Sequence, residues 1–150
     1  MTSYRKQREL FLDIETYSSV NIKKSGAYPY VESPDFEVLL VAYAWNDEPV
    51  VVLDLTAPAA DTEQAAANYY GMQDVIAGLL DPGTLKIAHN NAFERTALGK
   101  HVGHYLPPEE WDDTMVLAAT THAIARGKLT LIWIVIALQR VDKLDSHTLG

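Results

Sequence analysis

The chain contains no cysteine. That excludes a disulfide framework and a thiolate zinc site, and it fits a reducing compartment. A long apolar run is missing too. The most hydrophobic segment is LTLIWIVIAL, residues 129–138, about half of the ~20 residues a membrane-spanning helix needs. The basic start, MTSYRKQR, can mimic a signal peptide, but the apolar stretch after it is broken by Asp13 and Glu15. A soluble, cytoplasmic protein with no membrane partner is expected. Positive charge is in short supply: 12 Lys and Arg stand against 20 Asp and Glu, a formal charge of −8. A nucleic-acid binder usually shows a basic footprint. Here basic residues cluster only at Arg5, Lys6 and Arg8 and at Lys23 and Lys24. Any polyanion must be bound locally, with metal ions cancelling part of the carboxylate charge. Internal repeats and low-complexity linkers are absent as well.

What is present is enough for one domain. A chain of 150 residues can bury about 70% of its unfolded surface without covalent staples. ELFLDIE reads as a first strand, FEVLLVAYAW as a second and VVVLDL as a third, a meander in order. Between the first two lies YSSVNIKKSGAYPYVESPD, rich in Ser, Gly and Pro, which reads as a long surface loop. Loops of that length are uncommon unless functional. DTEQAAANYYGMQDVIAGLL has a helical pattern, with Asp61 or Thr62 as its cap and the DPG at 81–83 as its stop. LKIAH is a short buried strand, and NNAFERTALGKHVG a helix opened by cap-type asparagines. The segment from Trp111 starts extended and turns helical from about Thr114, and a last helix runs from about Leu129 to Arg140. A meander followed by alternating strands and helices predicts an α/β domain, with a mixed sheet flanked by helices.

Three short segments carry the chemistry. In FLDIETYSS, Asp13 and Glu15 are two residues apart on a strand, so they share a face while Leu12 and Ile14 point into the core. Carboxylates so placed repel each other, and a divalent cation between them removes that penalty. Mg²⁺ suits such a site: few hard oxygen ligands, with water and substrate phosphate completing the shell. In LKIAHNNAFERTAL a strand hands over to a helix at Asn90, and Glu94 falls about one turn in, where the helix dipole favours a carboxylate. Asn90 can cap that helix or bond a ligand, and Phe93 can pack or stack. In WDDTM, Asp112 and Asp113 precede a helix, and one of them can be its N-cap.

Taken together, a strand D-x-E, an N-x-x-[FY]-[DE] at a strand-to-helix junction and a D-T-M some twenty residues later resemble the DEDD-type 3′→5′ exonuclease domain of family A DNA polymerases, phage-type members above all. The resemblance spans roughly residues 8–125, and LDIET and AHNNAFER are its most specific parts. It implies a ribonuclease H-like fold and two divalent ions, Mg²⁺ or Mn²⁺. Asp13, Glu15 and Glu94 fall on metal-ligand positions, Glu94 standing where the family usually has Asp. Thr16, Tyr17, Asn90 and Phe93 fall beside the terminal nucleotide of a single-stranded DNA 3′ end. Asp113 falls on an aspartate expected to support the site. The implied reaction releases nucleoside monophosphates stepwise. Tyr28, Tyr30 and Phe36, in or beside the long loop, are further candidates for stacking on bases or for packing the loop down. The implied source is a phage or prophage in a bacterial host.

The sequence departs from the family at its end. No tyrosine follows Tyr105, so no Y-x-x-x-D stands after Glu94 to supply a fourth carboxylate. The late aspartates are Asp142 and Asp145, with His147 beyond them. The reading is therefore of one exonuclease-like domain over 1–150, with the family's last part missing or replaced over about 126–150. No polymerase activity is expected of a chain this long. The helix expected at 129–138 is apolar all round, so it must be buried, within this chain or through self-association or a partner. Two alternatives stay open: a truncated, catalytically impaired nuclease fold that binds nucleic acid or protein, and an RNase of another ribonuclease H-like group.

Overall fold

The computed structural model describes residues 7–113 of the chain. The helix expected from Thr114, the apolar segment 129–138 and the late aspartates lie outside the described residues.

Strand β1 (Arg8–Tyr17) is the centre of the fold. It pairs antiparallel with β2 (Glu37–Trp45), which pairs antiparallel with β3 (Val51–Asp54). On its other side β1 runs parallel to β4 (Thr84–Ala88), and β4 parallel to β5 (Trp111–Asp113). The order is β3-β2-β1-β4-β5, a five-stranded mixed sheet opened by the expected meander. With its flanking helices it is a mixed α/β fold, compatible with a ribonuclease H-like one.

Period-2 alternation sorts β1 cleanly. Leu10, Leu12 and Ile14 enter the larger core cluster, opposite Trp45, Tyr43 and Val41 of β2. Phe11 joins a second cluster with Ala42, Ala44 and Ile87 on the other face. The described helices treat the two faces unequally. Helix α2 (Ala27–Glu32) gives Val31 to the larger cluster, α3 (Thr62–Leu80) gives Val75 and Leu79, and α4 (Asn91–Val102) gives Ala97 and Leu98. Each buried Val or Leu among them contributes roughly 1.5–3 kcal/mol.

Helix α3 begins at the expected cap, Asp61, whose carboxylate accepts from the Gln64 amide at 3.0 Å. Gly71 and Gly78 do more than weaken it: they let the helix lie directly on the sheet. A Cβ at Gly78 would stand 2.6 Å from the Trp45 ring and 2.8 Å from Leu10. Gly78→Ala is therefore expected to destabilise the fold by about 1–3 kcal/mol, the usual cost of overpacking. Urea denaturation reads this as a lower midpoint at unchanged slope.

The long loop after β1 is more ordered than its composition suggests. It holds α1 (Ile22–Ser25), capped by the Asn21 side chain, and then α2. Its two ends are tied together, because the Asp35 carboxylate accepts from the Ser19 amide at 3.2 Å and from the Ser33 hydroxyl. Those bonds, Ser33 first, hold the Asp35 carboxyl below the usual range. Composition missed the two helices because each is under two turns long and has no periodicity to read. The loop before β5 likewise contains one 3₁₀ turn, Pro108–Glu110.

One core position runs against expectation. Lys86, in the middle of β4, is fully buried on the helix-covered face. Its Nζ donates to the Asp81 carbonyl at 2.8 Å and pairs with Glu110 Oε2 at 2.7 Å.

Candidate carboxylate site

The site is assembled where β1, the start of α4 and the end of β5 come together. Asp13 and Glu15 follow Phe11 on the same face of β1, opposite Ala42 and Leu40, and both are half-buried. Immediately after Glu15 the ladder slips. Glu15 pairs with Leu40 but Thr16 with Val38, so β2 carries one extra residue, Leu39. Such bulges bend a strand and re-aim the side chains beside them. The sequence gives no warning of this bulge, since no glycine marks it.

Thr16 is turned toward the loop. Its hydroxyl is 2.9 Å from the Tyr30 hydroxyl of α2. The Tyr30 ring meets Phe36 edge-on at 6.0 Å and Phe93 at 5.9 Å. All three rings pack against the core, so Tyr30 and Phe36 fasten the loop to the domain, and Phe93 belongs to the same aromatic cluster. Tyr17 and Tyr28, by contrast, stand in solvent.

The start of α4 is built from another element. Asn90 adopts the left-handed conformation, φ 59° and ψ 60°, which asparagine tolerates better than most residues. Its side chain makes no cap hydrogen bond. The cap comes instead from Asp113 at the end of β5, whose two carboxylate oxygens accept from the amides of Asn90 at 3.1 Å and Asn91 at 2.9 Å. A helix leaves its first amides unpaired, and a carboxylate there is also favoured by the dipole. Asp113 thus acts as a positioning residue, fixing where α4 begins. Asp113→Ala is expected to cost about 1–2 kcal/mol, and the loss should fall locally, as faster amide exchange in the first turn of α4.

Glu94 is the buried carboxylate of this arrangement. It lies in that first turn and is only 5% exposed. Its Oε2 is buried and has no hydrogen-bond partner among the described residues. Burial, and then the charge of Asp13, push its carboxyl well above the usual range. The two carboxylates are thus near enough for their charges to interact. The expected trio does not converge, however. Among the described residues no three Asp, Glu, His or Cys side chains gather closely enough to hold a metal ion. The topology accounts for this: Asp13 and Glu15 stand on one face of β1, whereas α4 buries Ala97 and Leu98 against the other.

What the sequence reading passed over is Arg95, next to Glu94. Its Nε is also buried without a partner among the described residues. The run Phe93-Glu94-Arg95 was visible, but a lone arginine on a helix carries no spacing signal.

Comparison with known proteins finds a relative among phage polymerases. The chain is 42% identical over 113 residues to a DNA polymerase of Bacillus phage SP02. The match takes in 75% of this chain and 16% of that polymerase. Most of the chain is therefore a region related to a phage DNA polymerase. The chain spans about a sixth of that relative's length. No protein-family model matches the chain, and no solved structure does. No described helix is long and apolar enough to cross a membrane.

Proposed function

We propose that this phage-polymerase-related region is a metal-dependent 3′→5′ exonuclease domain, acting on single-stranded DNA ends in the cytoplasm of a bacterial host. The observation that carries the reading is Glu94. A buried carboxyl with an oxygen unpartnered among the described residues, within electrostatic reach of Asp13, is costly unless a proton or a cation compensates it. The donor set is all hard carboxylate oxygen, which fits Mg²⁺ or Mn²⁺ and not a soft metal. The resemblance assigns two such ions to Asp13, Glu15 and Glu94, and holding them would require the three to draw closer than they stand here. When bound, these supply a nucleophile from water near neutral pH and offset charge at the scissile phosphate. The chain's own residues do the rest. Asp113 sets the start of α4 and so the place of Glu94. Asn90, exposed beside it with its side-chain amide free of the cap, is placed to bond the terminal nucleotide. Tyr17, half-exposed at the end of β1, offers a face for a base.

A second reading has its own support. Because no described trio of ligands converges, a nuclease fold that holds a nucleic-acid end without cutting also fits the geometry. One experiment separates the two. A 3′-labelled single-stranded oligonucleotide is incubated with Mg²⁺ or Mn²⁺, beside an EDTA control and Asp13→Ala. Stepwise shortening by the wild type alone, abolished by EDTA, is the expected result. Binding without shortening supports the second reading. Equal shortening by Asp13→Ala would assign the activity to another site or a contaminant.

A further inference from the structure

A cavity of about 280 Å³ lies between α2 and the later turns of α4, lined by Tyr28 and Glu32 on one side and by Arg95, Lys100, His104 and Tyr105 on the other. Its charge arrangement is unusual for so acidic a chain. Glu32 is already matched by Lys100 at 3.1 Å, an exposed and therefore weak pair. Arg95 is left over. It forms no ion pair among the described residues, and its buried Nε lacks an acceptor. Arg95 is half-buried, and an arginine whose Nε–H is buried without a partner among the described residues, while the rest of its guanidinium lines a cavity, is set for a planar anionic acceptor; phosphate matches its fork. Two tyrosines, each 73% exposed, stand at the same cavity. A large ring kept in solvent contributes little to folding, but it offers a face on which a base can stack. The volume is just below the ~300–1,000 Å³ of drug-sized sites, so it suits one unit of a polymer rather than a long stretch.

We propose that this cavity holds one internal nucleotide of a single-stranded nucleic acid, its phosphodiester on Arg95 and its base against Tyr28 or Tyr105. The assignment rests on the reading above only in taking a single strand as the ligand; it does not require that the strand be cut. It also answers how a chain of charge −8 keeps a polyanion: the contact is local, next to the turn of α4 that carries Glu94.

The test is equilibrium binding in EDTA, where no cutting occurs, of a fluorescein-labelled oligothymidylate read by anisotropy. Wild type should bind. Arg95→Met should raise Kd about tenfold and make its dependence on salt shallower by about one phosphate contact. Tyr105→Ala, at a position too exposed to threaten folding, should raise Kd at least about fivefold with the salt dependence unchanged. Inorganic phosphate at matched ionic strength should not displace the strand. The proposal fails if wild type does not bind, if Arg95→Met binds as wild type, if its weakening leaves the salt dependence untouched, or if free phosphate displaces the strand fully. A wild type that shortens oligonucleotides while Arg95→Met binds normally keeps the exonuclease reading and removes this one. Arg95-dependent binding with no shortening does the reverse.

Discussion

Replacing Glu94 with glutamine is expected to make the metal-free protein more stable near neutral pH, by about 1–3 kcal/mol, while removing at least about 99% of any cleavage, since even outer groups of a metal site account for 10- to 100-fold. The two effects have one cause. In the folded chain the Glu94 carboxyl is held well above its ordinary value of 4.5 by burial and by Asp13. An unfolded chain loses that proton near 4.5, whereas the folded chain keeps it to higher pH. The folded state therefore binds more protons between those two values, and stability falls as pH rises through that window. In EDTA the wild type should lose stability from about pH 4.5 upward, and Glu94→Gln, neutral throughout and of the same shape, should lose less. Chemical denaturation across pH, with and without Mg²⁺, checks both halves. Mg²⁺ should restore the wild type most strongly at the alkaline end and leave Glu94→Gln unmoved.

The second large effect lies at Lys86. Glu110→Ala is expected to cost about 3–5 kcal/mol, because it strands a fully buried ammonium without its carboxylate. Lys86→Met, close in volume and apolar, should be far milder, neutral or even stabilising. The double variant Lys86→Met with Glu110→Ala should recover most of the loss. Thermal or urea unfolding of the three proteins reads the cycle. If Glu110→Ala cost no more than a surface substitution, the pair would be too well hydrated to matter.

How much of this was legible beforehand follows from the physics of each element. The strands were readable because β1 and β2 bury residues on both faces, so their apolar runs are nearly continuous. Helix α3 was readable to within a residue, since Asp61 and the DPG at 81–83 punctuate it. The short helices α1 and α2 were not, because one or two turns leave no period. Lys86 was not, because its burial depends on Glu110, 24 residues away. At the site, the sequence placed Asp13 and Glu15 on one face and Glu94 in the first turn of a helix, and the structure has them there. It could not tell that Asp113 caps α4 across the sheet, because that bond joins segments 22 and 23 residues apart. Nor could it tell that the trio would not converge, which depends on which face α4 covers.

The most direct test of the account is calorimetric titration of Mn²⁺ into wild type, Glu94→Gln and Asp13→Ala near neutral pH. If the orphaned Glu94 oxygen and the Asp13 charge share a cation, the wild type should give saturable heat, and each variant should bind at least about tenfold more weakly. Equal binding by all three proteins, or no binding by the wild type, would contradict it.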